Sequence, residues 1–171
     1  MNLKLLPAFV VILLLSGCSP KSAPPSGEGW MFQPMVKLDE YNPIMVPDRS
    51  TTFHCPMRKE NVRWEEKDVY NPAAVVRDDR VWLLYRAEDN LESVSGTSRI
   101  GLANSRNGLE FRKNAIPVMY PDKDKMQDYE WQGGCEDPRI VKRDDGLYIM
   151  TYTAYDGKTA RLAVAIMPIP G

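Results

Sequence analysis

Short β-rich runs divided by tight polar turns, an internal repeat, and a lack of helical periodicity predict an all-β fold for this chain of 171 residues. Ala73–Arg77 is a β-rich run, Asp78-Asp79 a turn and Val81–Arg86 a second run. Arg99–Ser105 is a third, Arg106-Asn107-Gly108 a turn, and Glu110–Arg112 a short fourth. The pattern then returns. Pro72–Trp82 aligns with Pro138–Tyr148, 66 residues on, and five of the eleven positions are identical. Arg99–Ala103 aligns in the same way with Arg161–Ala165, 62 residues on. Beyond residue 30, no long stretch keeps its apolar residues at helical spacing.

Four strands joined hairpin after hairpin, and then repeated, are what a β-propeller blade requires. One blade cannot bury both faces alone, so a stacked neighbour completes its core. A closed ring needs at least about four blades, whereas residues 30–171 have room for two or three. The expectation is an incomplete propeller. Arg161–Ile166 reads as the third strand of a blade, and Met167–Gly171 as a truncated or frame-disrupted end.

The first residues carry an export signal. Met1–Lys4 is short and positive, Leu5–Leu15 is apolar, and Leu15-Ser16-Gly17-Cys18 ends on small residues and a cysteine. An apolar run of that length is short for a membrane span and suits a cleaved signal peptide. The ending resembles a bacterial lipobox, which makes Cys18 the lipidated residue and 1–18 the signal region. Residues 19–29 are dominated by Pro, Ser and Gly and read as a flexible tether, with 30–171 as the folded domain. A lipid-anchored protein of the bacterial envelope is expected, and Ser19 points to the outer membrane.

Composition narrows the chemistry. Basic and acidic residues number 22 and 23, without a basic stripe, so nucleic acid is not an expected partner. His54 is the sole histidine, which argues against a Ser-His-Asp relay or a multi-histidine metal site. With Cys18 committed to lipid, Cys55 and Cys135 are left either to pair in an oxidising compartment or to pack as free thiols. Trp64, Trp82 and Trp131 are candidate sugar platforms, although Trp82 sits in an apolar run and reads as core.

Functional residues are densest at Gly133-Gly134-Cys135-Glu136-Asp137-Pro138-Arg139. Two glycines allow close backbone approach, two carboxylates follow, and a proline stiffens the entry to a strand. Asn71-Pro72 holds the matching place in the earlier repeat, so Asn71 and Asp137 should face one central space. Arg86, Glu88 and Asp89 end a strand and Ser98-Arg99 begin another, a set of directional donors and acceptors suited to sugar hydroxyls.

Five motifs in this order are highly specific together: Asn71–Ala73, Leu84–Asp89, Thr97–Ala103, Gly133–Arg139 and Tyr152–Asp156. The series resembles glycoside hydrolase family 130, the β-mannoside phosphorylases and β-mannosidases, over about Asn42 to Ile166. The chain looks like the N-terminal portion of a lipoprotein member. The resemblance implies a five-bladed propeller with its site in the central depression. It makes Asp137 the general acid, acting on the leaving oxygen through a mannosyl hydroxyl. Asn71, Arg86, Ser98 and Arg99 would bind the mannosyl unit, while Glu136 and Arg139 would support the loop. Cleavage would invert the anomeric centre, with no metal and no cofactor.

Three functional expectations follow. The first is an exo-acting β-mannosidase that breaks down glycans at the envelope. The second is a β-1,4-mannosyl phosphorylase that makes α-mannose 1-phosphate with inorganic phosphate as co-substrate. The third is an inactive truncated fragment or a non-catalytic glycan-binding lipoprotein. The family's phosphate ligands and water-activating carboxylates lie beyond Gly171 in its usual pattern. The expected partners are a β-mannoside oligosaccharide and, through the lipid at Cys18, the membrane.

Overall fold

The computed structural model describes residues 34–91 and 95–167. The signal region, Cys18, the tether and residues 168–171 lie outside the described residues. All strands belong to the unit Leu38–Gly171.

Two short strands come first, β1 (Phe53–Cys55) and β2 (Glu60–Val62), paired antiparallel. The first blade follows as β3 (Asp68–Arg77), β4 (Arg80–Glu88), β5 (Ser98–Ser105) and β6 (Arg112–Lys113), each antiparallel to its neighbour. A four-residue helix, α1 (Gln127–Glu130), leads into the second set: β7 (Gly134–Lys142), β8 (Tyr148–Tyr155) and β9 (Ala160–Met167). These three are again antiparallel in chain order. The two sets are one propeller blade and the first three strands of the next, so the fold is all-β and part of a propeller. The sequence places the fourth strand at Glu110–Arg112, and it forms at Arg112–Lys113, starting two residues later.

The two Asp-Asp turns of the repeat close differently. Asp78 and Asp79 both have positive φ, 50° and 54°, the backbone of a two-residue hairpin loop whose twist matches the strands. In the second hairpin it is Gly146 that takes the positive φ, at 85°, where the first repeat has Arg80.

Strand alternation sends neighbouring residues to opposite faces of the first blade. One face carries Trp82, Leu84, Ile100 and Leu102 and packs on Cys135, Tyr148, Met150, Tyr152 and Ala154 of the second blade. The other carries Tyr85, Ala87 and Ala103 and packs on Phe53, Cys55, Val62 and Trp64. Trp64 and Trp82 are therefore core residues, and Trp131 is half-buried. Cys55 and Cys135 are free thiols, one in each cluster.

Behind the loop that leads into β7, buried Glu130 accepts a 2.6 Å hydrogen bond from the Tyr152 hydroxyl. Burial pushes its carboxyl above the ordinary range, and the Tyr152 bond only partly opposes this. A carboxyl that holds its proton more tightly when folded stabilises the fold at low pH. That contribution fades as pH rises from the ordinary glutamate value through the raised one. Glu130→Gln is therefore expected to flatten the fall in stability above about pH 4.5. Denaturant midpoints of both proteins across pH 4–8 check this, and parallel curves would refute it.

Candidate active site

Asn71 and Asp137 sit at equivalent points of β3 and β7, and the backbone does the same thing at both. Each has a left-handed φ, 47° and 48°, and at each the antiparallel register slips, between Tyr70 and Ala73 and between Glu136 and Arg139. Such a bulge re-aims one side chain out of the ladder. Here the two re-aimed side chains meet: Asn71 Nδ2 donates to Asp137 Oδ1 at 2.7 Å.

Beneath this pair lies Arg86, from the face of β4 that points at the second blade. Its Nη1 reaches Asp137 Oδ1 at 3.3 Å, and its Nη2 reaches Glu136 Oε1 at 2.8 Å and Glu88 Oε1 at 2.5 Å. Its Nε donates to Ser98 Oγ at 2.9 Å, and the Tyr70 ring lies 4.8 Å from the guanidinium carbon. One Nη1 hydrogen has no partner among the described residues and is available to a ligand oxygen.

Glu88 is the deeper anchor of the cluster. Tyr70 Oη, Arg86 Nη2 and Ser98 Oγ all reach its Oε1, and Lys67 Nζ holds its Oε2 at 3.0 Å. Burial alone would raise the Glu88 carboxyl, but the bonds from Tyr70, Lys67 and Arg86 outweigh it and hold the group below the ordinary range. Burial raises Glu136, with Asp137 nearby adding to the effect and Arg86 opposing it. Glu88 is thus a settled carboxylate, while Glu136 takes up a proton more readily than a free side chain.

Asn71, Arg86, Ser98, Glu136 and Asp137 are brought together, Asn71 opposite Asp137 as the repeat spacing suggested. Asn71 is exposed, Asp137 and Arg86 are partly exposed, and Ser98 is fully buried beneath them. Arg99 is not part of this group. It is fully buried on the opposite face, paired with Asp89 at 2.8 Å, and its guanidinium lies over the Phe53 ring. In this arrangement it has no surface with which to touch a sugar. Alternation along β5 is the reason, because consecutive Ser98 and Arg99 must face opposite ways. Arg139 is exposed and donates to the Pro138 carbonyl at 2.8 Å.

Sequence reasoning passed over Glu88 as the hub and missed Tyr70 and Lys67. The Arg86-x-Glu88 spacing was the available signal, since residues two apart on a strand share a face. A cavity of about 710 Å³ lined by Arg80, Trp82, Asn104 and Arg112 shares no residue with this cluster.

Comparison with known proteins matches residues 36–167 to the glycoside hydrolase family 130 profile, described as β-1,4-mannooligosaccharide phosphorylase. A 1,2-β-oligomannan phosphorylase from a Thermoanaerobacter species is 37% identical over 126 residues, 71% of this chain and 37% of its own length. A glycosyl hydrolase from Bacteroides ovatus has a TM-score of 0.77 at 43% identity, covering 81% of this chain and 39% of that one. Another solved structure, with a TM-score of 0.77 at 42% identity, covers 82% of this chain and 40% of its own. Its description states that this family of mannoside phosphorylases contains glycoside hydrolases that target β-1,2-mannosidic linkages in Candida mannan. The chain spans about two fifths of the length of these relatives. With a profile match running through nearly all of its described residues, the chain belongs to glycoside hydrolase family 130.

Proposed function

We propose that the protein cleaves β-mannosides with inversion, and that this chain carries the general acid, Asp137. The observation that supports this most is the charge count of the site. Lys67 and Arg86 supply two cations against three carboxyls, Glu88, Glu136 and Asp137. Such a cluster is charge-balanced when one carboxyl holds a proton, which is the state a general acid needs before it acts. Glu88 is tied down as a carboxylate, Glu136 takes up a proton more readily than a free side chain, and Asp137, on the same Arg86, is the more exposed of the two.

In the proposed reaction a mannosyl unit lies over Asn71, Arg86 and Asp137. Asp137 gives its proton toward the leaving oxygen through a mannosyl hydroxyl, as the family resemblance implies. Asn71 and Arg86 hold Oδ1, which leaves Oδ2, without a partner among the described residues, as the oxygen free for the transfer. Glu136 and Ser98 fix Arg86 from below, and Arg139 remains a support of the loop. The acceptor attacks the anomeric carbon from the opposite face.

Water as acceptor, and β-1,2-linked mannosides as substrate, are supported by the 42% identity to the structure described with the family's hydrolases that target β-1,2-mannosidic linkages. The export signal and lipobox expected at 1–18 agree with an exo-acting enzyme of the envelope. The phosphorylase reading is favoured by the description of the family profile and by the names of the curated relatives. Product analysis of the full-length protein with and without inorganic phosphate separates the two. Mannose released without phosphate is the expected result. Mannose 1-phosphate formed only in its presence would replace hydrolysis by phosphorolysis, and no product with any β-mannoside would leave a glycan-binding protein.

A further inference from the structure

Glu88 never reaches the rim where Asn71 and Asp137 meet, yet more donors converge on it than on any other carboxylate of the cluster. It makes the closest contact to Arg86, 2.5 Å, against 2.8 Å for Glu136 and 3.3 Å for Asp137. We propose that Glu88, with Lys67 behind it, is a positioning residue that poises the Arg86 guanidinium against Asp137 and offsets its charge without itself touching the acid. The role rests on Asp137 being the general acid.

Every element packed around Glu88 contributes to its surroundings. The segment before β3 supplies the Lys67 ammonium, whose Nζ also donates to the Ser95 carbonyl. β3 supplies the Tyr70 hydroxyl and, as the register partner of Glu88 at its exposed end, Asp68. β4 supplies Arg86, β5 supplies Ser98, and β7 brings Glu136 onto the same Arg86 Nη2. Asp137 is faced by Arg86, Asn71 and the neighbouring Glu136. The one fixed negative charge among these side chains that touches Arg86 without belonging to the acid's own loop is Glu88. It offsets the guanidinium and helps Glu136, beside the acid, to hold a proton, while Lys67 limits how far that offset goes.

Changing these two residues should therefore move the site in opposite directions. Glu88→Gln leaves two cations facing two carboxylates, a set already balanced without a proton. The pair should then lose its proton about one pH unit lower. The alkaline limb of the kcat/KM profile, which reports loss of the acid's proton in the free enzyme, should move down with it. Lys67→Met leaves one cation facing three carboxyls, and the same limb should move up by about half a unit. The experiment is a carboxyl ¹³C titration of Glu136 and Asp137 in the full-length protein and both variants. It is paired with pH profiles of β-mannoside cleavage, and thermal melts confirm that each variant folds. Opposed shifts support the inference. Equal losses of activity with unmoved limbs and unmoved carboxyl titrations would overturn it and reduce Glu88 to a packing residue. Opposed carboxyl shifts in a protein that cleaves no β-mannoside would keep the charge relation and refute the enzymatic reading instead.

Discussion

Asp137→Asn is expected to lower turnover of a β-mannoside about a thousandfold while leaving ligand binding close to that of the parent protein. The amide has the shape of the carboxyl and can still accept from Asn71 Nδ2, which lies 2.7 Å from Asp137 Oδ1. The backbone tolerates it as well, because asparagine enters the left-handed region readily and φ at this position is 48°. What disappears is the transferable proton. An aryl β-mannoside with an acidic leaving group should lose less than a disaccharide, since its leaving oxygen needs less help. The check is kcat on both substrates together with calorimetric binding of a β-mannoside product. Turnover equal to the parent's would remove Asp137 from the acid role.

Gly134→Ala is expected to cost about 3 kcal/mol of stability and to abolish activity with it. Gly134 has φ of +115°, which an L side chain rarely adopts. A Cβ there would lie 2.1 Å from the Ser98 carbonyl oxygen and 2.4 Å from its nitrogen. Those are backbone atoms of β5, held by β4 along the whole strand, so they cannot turn aside as a flexible side chain could. This is also where the two blades join, through the Ser98–Gly134 bridge and the 2.8 Å bond from Ser98 N to the Gly133 carbonyl. A displaced Ser98 would release Arg86 Nε, and the site would loosen as the blades part. Gly146→Ala is the control: its φ is also positive, but nothing lies within 4 Å, and about 1 kcal/mol is expected. Thermal or denaturant unfolding of the two variants measures the contrast, and equal losses would contradict it.

The repeat was the most legible part of the chain. Its spacing alone placed Asn71 opposite Asp137, since equivalent points of stacked blades must come near each other. The left-handed bulges that aim those side chains were not legible, because neither Asn-Pro nor Asp-Pro specifies that backbone. A residue before proline ordinarily takes extended geometry. Arg99 shows a different gap. Motif membership grouped it with Ser98, whereas strand period separates them, and here the period decides. The β1–β2 hairpin escaped notice because three-residue strands are too short to show a period. Even so, its Phe53, Cys55 and Val62 cover the face on which Arg99 is buried. The two Asp-Asp turns looked alike in sequence and differ in conformation, since only the second has a glycine to accept the positive φ.

The matched bulges at Asn71 and Asp137 have a consequence for how such a site changes over evolutionary time. Each repeat presents one outward-turned position whose geometry is set by the main chain and not by the identity of the residue standing there. Asparagine and aspartate differ by an amide against a carboxyl group, a change within reach of a single nucleotide. A donor in one repeat and an acid in the next can therefore descend from a common ancestral residue, with no repacking of the apolar layers beneath. Duplication would have supplied the symmetry, and one substitution the division of labour.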